Sequence, residues 1–167
     1  MSELAINPQI LTKSAFAPYG DVIEIDGATH WTINDGFAER FHDLATIDVA
    51  AEDGHPLINI FRAKPYQLPL PIRLMERHPL GSQAFFPLGN ANFIVIVAPP
   101  DDLPQPKSLV AFVTGRGQGV SYARGVWHHP LIVIGETCEF LVIDRGGPGE
   151  NCDEVALSEG EAVLIAP

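Results

Sequence analysis

The sequence predicts a mainly β protein, a sandwich or barrel of short strands with a short helical elaboration at its N-terminus. Three observations carry this. Fifteen glycines and fifteen prolines are spread along the 167 residues, so few stretches run far enough for a three-turn helix. After Pro56, short Val-, Ile- and Phe-rich segments recur between turn residues, the pattern of serial strands. The 46% apolar content of an 18.1 kDa chain fills one core rather than two.

Taken in order, Pro8 to Phe16 reads as a helix, and Phe37, Phe41 and Leu44 fall at i, i+4 and i+7, predicting a short amphipathic helix over 37–45. Strands follow at 57–62, 70–76, 83–88, 92–98, 108–113, 119–124, 126–134, 138–144 and 161–165. The Pro-rich stretches 65–71 and 99–106 belong to surface loops or edges, because proline gives no ladder hydrogen bond. The chain therefore reads as a single domain, 1–56 an N-terminal elaboration and 57–167 the barrel core.

A formal charge of −11 argues against nucleic acid, which is held by a basic excess. The longest apolar run, Phe93 to Ala98, is six residues, far below the ~20 of a membrane span. With no basic-then-apolar leader, an unexported, cytoplasmic protein is expected. Cys138 and Cys152 are too few for a disulfide scaffold and form no CxxC, so both read as structural thiols. Charge is unevenly placed: −8 over 1–61, +4 over 62–134 and −7 over 135–167. A basic middle suits a small anionic ligand in an interior pocket. Solvated surface arginines are the plainer reading.

Two segments concentrate ligand-capable side chains. In 76–89, strand alternation puts Glu76 and His78 on one face and Arg77 on the other, and Gln83 joins the first face if the turn at Gly81 folds back. In 119–130, adjacent His128 and His129 point to opposite faces, so one of them faces the pocket.

These segments resemble the two cupin motifs in degenerate form. Glu76, His78 and Gln83 stand where the first motif carries its ligands, and Gly125-Val126-Trp127-His128 matches GxxH of the second. The strings MERHPLGSQAFFPLG (75–89), QGVSYARGVWHHPL (118–131) and NCDE (151–154), with IFRA (60–63) and YGDVIE (19–24), resemble the ureidoglycolate lyase family over nearly the whole chain. The resemblance implies a cupin-type jelly-roll barrel, a cytoplasmic homodimer, and elimination of urea from (S)-ureidoglycolate to give glyoxylate in allantoin and purine catabolism.

That chemistry needs a base at the hydroxyl, an acid at the leaving nitrogen and a cation for the carboxylate. His128 is the leading acid–base candidate, joined by His78 and Glu76. Gln83, Arg124, Tyr122 and Arg77 are candidate substrate-binding residues, with Arg124 favoured over Arg77 as the carboxylate clamp. His78, Gln83, His128 and Glu76 mix imidazole and oxygen ligands suited to a divalent ion such as nickel, zinc or manganese, although a neutral amide is a poor ligand. Trp127 and His129 read as packing behind the site, and Asn151 and Asp153 as turn hydrogen bonds. The rival functions are a non-catalytic cupin that binds a small carboxylate, an amidohydrolase that releases ammonia, and a metal-dependent sugar or keto-acid cupin.

Overall fold

A computed structural model describes residues 4–100, 103–157 and 162–167. Asp101 and Asp102 of the expected 99–106 loop, and the first residue of the expected 161–165 strand, lie outside them. The N-terminal part holds β1 (Leu4–Ile6), β2 (Gln9–Ile10), α1 (Lys13–Phe16), β3 (Gly20–Ile23), β4 (Thr29–Ile33) and β5 (Ala38–His42). Then come β6 (His55–Ala63), β7 (Leu70–Pro71), β8 (Leu74–Arg77), β9 (Gln83–Pro87), β10 (Phe93–Ala98) and β11 (Val110–Val113). The last are β12 (Gly119–Tyr122), β13 (Trp127–His128), β14 (Ile132–Val133), β15 (Cys138–Gly146), β16 (Asp153–Ala156) and β17 (Ala162–Leu164).

Two larger sheets build the molecule, in the orders β16-β8-β13-β10-β11-β2, with β14 also on β10, and β3-β12-β9-β15-β6. No ladder joins them among the described residues. A small sheet, β1-β17-β7, covers the outer side of the first, and β4 and β5 pair as a separate hairpin. Strand β10 explains why its sequence is apolar without alternation. Phe93, Val95 and Val97 point into a core shared with Phe85, Val120, Phe140 and Val142 of the second sheet. Ile94, Ile96 and Ala98 point the other way, into a second core with Met75, Trp127, Ala162 and Leu164. A strand buried on both faces reads as a continuous hydrophobic run.

The N-terminal helical expectation is corrected in two places. Over 8–16, helix is limited to one turn: Thr12 caps it by accepting from the Ala15 N–H at 3.2 Å, and Pro18 has no N–H to continue it. Over 37–45, the chain is strand β5, in register with β4. Asn34, Asp35 and Gly36 turn the hairpin with φ of 53°, 55° and 92°, values these residue types tolerate. Cross-strand pairs then hold it, His30 stacked on Phe41 at 5.3 Å and Trp31 against His42 at 5.0 Å. The helical spacing of Phe37 and Phe41 was coincidental, since Phe37 is 92% exposed. Strand 70–76 is broken between Pro71 and Leu74, and 126–134 between His128 and Ile132 around Pro130.

The interior fixes a stability contrast. Phe140→Ala, at a fully buried ring packed edge-on against Phe93, is expected to cost about 3–5 kcal/mol in urea unfolding. Phe37→Ala is expected to change stability by less than about 0.5 kcal/mol. Equal losses would contradict this placement of the core.

Candidate active site

The β8–β13 ladder sets the site, because Glu76 and His128 are direct cross-strand partners whose side chains share the inward face. His128 is sealed, 2% exposed, and its ring lies flat on Tyr122 at 4.2 Å and 7°. Its Nδ1–H donates to the Val126 carbonyl at 3.1 Å, which leaves the lone pair on Nε2. Nε2 has no hydrogen-bond partner and faces Glu76 Oε1 at 3.4 Å. Burial pushes the His128 imidazolium below its ordinary range, keeping the ring neutral. The hydrogen bond that His128 Nε2 gives Glu76 whenever that nitrogen carries a proton, ahead of the opposing partial burial, lowers Glu76 below the usual carboxylate range.

His78 sits beside them, its ring 5.1 Å from that of His128. Its Nδ1–H donates to the Asn151 carbonyl at 2.7 Å and its Nε2 meets Gln83 Oε1 at 3.1 Å. Both partners are oxygen acceptors, so a proton on either ring nitrogen of His78 meets an acceptor there. The other end of Gln83 points to Asp144 Oδ2 at 3.4 Å, and Asp144 also accepts from Asn59 at 3.0 Å. Turning the Gln83 amide over would face its oxygen to that carboxylate. Ligand atoms of Glu76, His78 and His128 all lie within 4.8 Å of one another.

Two cavities reach this cluster. One of about 360 Å³ opens on Glu76, Gln83, Phe61 and Leu131. The other, of about 310 Å³, opens on His78, Gln83, Arg145, Asn151 and Cys152. Gln83 belongs to both walls, so the single chamber expected around these groups is divided by the amide. A hollow of about 400 Å³ beneath the β4–β5 hairpin lies apart from the cluster.

The expected convergence thus holds for Glu76, His78, Gln83, His128 and Tyr122. It fails for both arginines. Arg124 pairs with Asp48, Nη2 to Oδ1 at 2.5 Å, in a half-exposed bridge. Arg77 lies on the opposite face of β8, its guanidinium 4.6 Å over Trp127 and its Nε 2.8 Å from Asp153. Alternation therefore kept Arg77 out, and Pro79 did not re-aim it. Tyr122 serves as the plate under His128, and burial raises its hydroxyl well above the ordinary range.

Asn151 and Asp153, expected to make turn hydrogen bonds, stand just before and at the start of β16, which pairs with β8 from Arg77↔Asp153 to Leu74↔Ala156. Asn151 orients His78 through its carbonyl and holds Leu80 N–H through Oδ1 at 2.8 Å. The apolar–polar alternation of Val155 and Leu157 was the sequence signal for this strand. Both cysteines are free thiols, Cys138 buried and Cys152 exposed.

A β-sandwich that gathers two histidines and a carboxylate against paired cavities is the frame of a small-molecule enzyme. The chain belongs to the ureidoglycolate lyase family, whose model matches residues 3–164. It is 57% identical to the ureidoglycolate lyase of Burkholderia mallei (strain NCTC 10229) over 159 residues, covering 95% of this chain and 92% of that one. With the Pseudomonas fluorescens (strain Pf0-1) ureidoglycolate lyase the identity is 50% over 167 residues, 100% and 99% of the two chains. Among solved structures, RmlC from Streptococcus suis in complex with dTDP-D-xylose covers 56% of this chain and 45% of its own at 8% identity and a TM-score of 0.41, a likeness too partial to define the fold.

Because Arg124 is spent on Asp48 away from the cluster, Arg124→Ala is expected to leave kcat/KM within about threefold and to cost no more than about 1 kcal/mol. A loss of turnover above about 100-fold in steady-state assays would restore it to the substrate.

Proposed function

We propose that the protein is a ureidoglycolate lyase on a cupin-type jelly roll, eliminating urea from (S)-ureidoglycolate to leave glyoxylate. The observation that carries the mechanism is the unpartnered Nε2 of buried, neutral His128 facing Glu76 at the cavity wall. Glu76 meets the substrate hydroxyl, and the pair acts as one base: the proton leaves the hydroxyl oxygen through the carboxylate and comes to rest on His128 Nε2. The C=O of glyoxylate forms as the C–N bond breaks, and its electron pair goes to the urea nitrogen. His78 in its doubly protonated form gives that nitrogen its proton from Nε2 once the amide of Gln83 swings aside. The proton gained by His128 and the one lost by His78 balance across about 5 Å, which restores the resting state. No water is consumed, so urea leaves intact and ammonia is not formed.

The donor set also fits a divalent ion, since His128 Nε2 is orphaned and faces a carboxylate oxygen, the mixture that suits nickel, zinc or manganese. His128, Glu76 and, once Gln83 releases it, His78 would hold the ion. Bound there, it would supply Lewis-acid polarisation of the substrate's hydroxyl and carboxylate oxygens.

The homodimer has its own support. On the outer face of the second sheet, Ile58 pairs with Ile143, and Ile60 with Leu141, which in turn pairs with Phe86. Ile58 and Ile60 are 74% and 54% exposed. An apolar patch of this kind on an otherwise acidic protein fits a second copy across a two-fold axis. No helix among the described residues is long and apolar enough to cross a membrane. A cytoplasmic location accords with two free thiols.

Supplied with racemic ureidoglycolate, the protein is expected to release glyoxylate and urea in equal amounts. Ammonia in place of urea, or no acceleration over spontaneous decay, would overturn the activity. His128→Ala should keep the fold and lose roughly 100- to 10,000-fold in kcat. The pair must be unprotonated and its members titrate below their ordinary values, so activity is lost as pH falls, in a limb centred below 6.5; a limb above that value contradicts the mechanism. Nickel, zinc or manganese added to chelator-treated protein should shift the His128 ring resonances, and unchanged resonances would rule out the ion. Light scattering should give the mass of two chains for wild type and one for Ile58→Glu/Ile60→Glu. A monomeric wild type would remove the assembly.

A further inference from the structure

With Arg77 and Arg124 both neutralised by aspartates, the cation that an anionic substrate requires must come from elsewhere. Arg145, on β15, lines the same cavity as His78 and Asn151 and is 7% exposed. A charge so buried is ordinarily met by a carboxylate, and among the described residues none pairs with it. Its Nε donates to the Ala51 carbonyl at 3.1 Å, and Nη2 donates to the carbonyls of Ala51, Glu52 and Pro148 at 2.8, 3.1 and 2.7 Å. None of these bonds uses Nη1.

The surroundings are built to hold the guanidinium in this place. A Cβ on Gly54 would stand 2.3 Å from Arg145 Nε, and one on Gly81 2.8 Å from Arg145 Cβ. Glu52 and Asp53 adopt φ of 52° and 57° as the 51–54 turn presents its carbonyls to the ring of donors. Neutral dipoles orient the cation without cancelling its charge. Of the acids on the same cavity, Asp144 is engaged by Asn59 and Gln83, and Glu150 is exposed.

We propose that Arg145 is the specificity-determining cation of this site, pairing through its Nη1 edge with the carboxylate of the substrate, so that the reacting carbon comes to lie between Glu76 and His78. The assignment rests on the lyase reading and names the group by which that site selects a 2-hydroxy acid over a neutral carbinolamide. It also gives the product complex the same anchor, since glyoxylate keeps the carboxylate.

The test compares wild type and Arg145→Gln on ureidoglycolate and on its uncharged methyl ester. Wild-type turnover of ureidoglycolate is scored first, and its absence would fail the lyase reading independently of Arg145. Given that turnover, Arg145→Gln is expected to raise KM for ureidoglycolate about 30-fold, the worth of one charged hydrogen bond. Its kcat should fall less than fivefold on the scale of roughly tenfold per 1.4 kcal/mol, and its kcat/KM on the ester should stay within about threefold of wild type. An unchanged KM, or equal losses on acid and ester in a folded variant, would overturn the assignment. Should Arg145→Gln fail to fold, the wild type decides: saturating glyoxylate should shift the slowly exchanging Arg145 side-chain ¹⁵N resonances, and no shift overturns the proposal.

Discussion

The site depends on one constraint, the burial of the His128 ring between Tyr122 and the β8–β13 ladder with its lone pair turned to Glu76. Burial keeps the imidazole neutral, while Glu76, whose own partial burial opposes ionisation, is held ionised by its contact with His128, so one proton can settle between the two acceptors. Everything nearby serves this arrangement. Tyr122 fixes the plane of the ring, Val126 fixes its tautomer, and Gly125, at φ +77°, turns the chain so that its N–H caps the His78 carbonyl at 2.9 Å. The second histidine, His78, has an oxygen acceptor at each ring nitrogen. A buried ring that sheds its proton beside a ring flanked by two acceptors offers the reaction a base and a proton donor in one cluster.

Electrostatics at the surface follow a different logic. The basic middle of the chain pairs much of its charge with acids, Arg62 on the wall of the Glu76 cavity included. Three of its arginines reach out to the acidic flanks: Arg62 to Glu139, Arg77 to Asp153 and Arg124 to Asp48. Segregation along the sequence becomes pairing in space. Arg145, by contrast, comes from an acidic segment and stays without a carboxylate partner among the described residues.

Much of the sheet pattern was legible because alternation and apolar runs report burial directly. Strands such as β9 and β10 carry their two faces in the order of their side chains, and the shared facing of Glu76 and His78 followed from the same period of two, whereas His128 was preferred to His129 through the motif resemblance. What was not legible had a physical cause in each case. The 37–45 segment has helical spacing, but the turn chemistry of Asn34-Asp35-Gly36 and cross-strand ring pairs overrode it. The partner of an arginine is a tertiary fact that no local pattern encodes, so Arg77 and Arg124 were assigned to the substrate when each had an aspartate waiting 76 positions away. Arg145 lacked any motif, and its role depends on carbonyls from a turn more than ninety residues earlier in the chain.

The most direct measurement is the ¹⁵N NMR titration of the His128 ring in the free protein. A protonated Nδ1 and a bare Nε2 at neutral pH, with the ring gaining its second proton only below the ordinary histidine range, is the predicted result. An imidazolium signal from His128 at pH 7, or a proton found on Nε2 in place of Nδ1, would contradict the account.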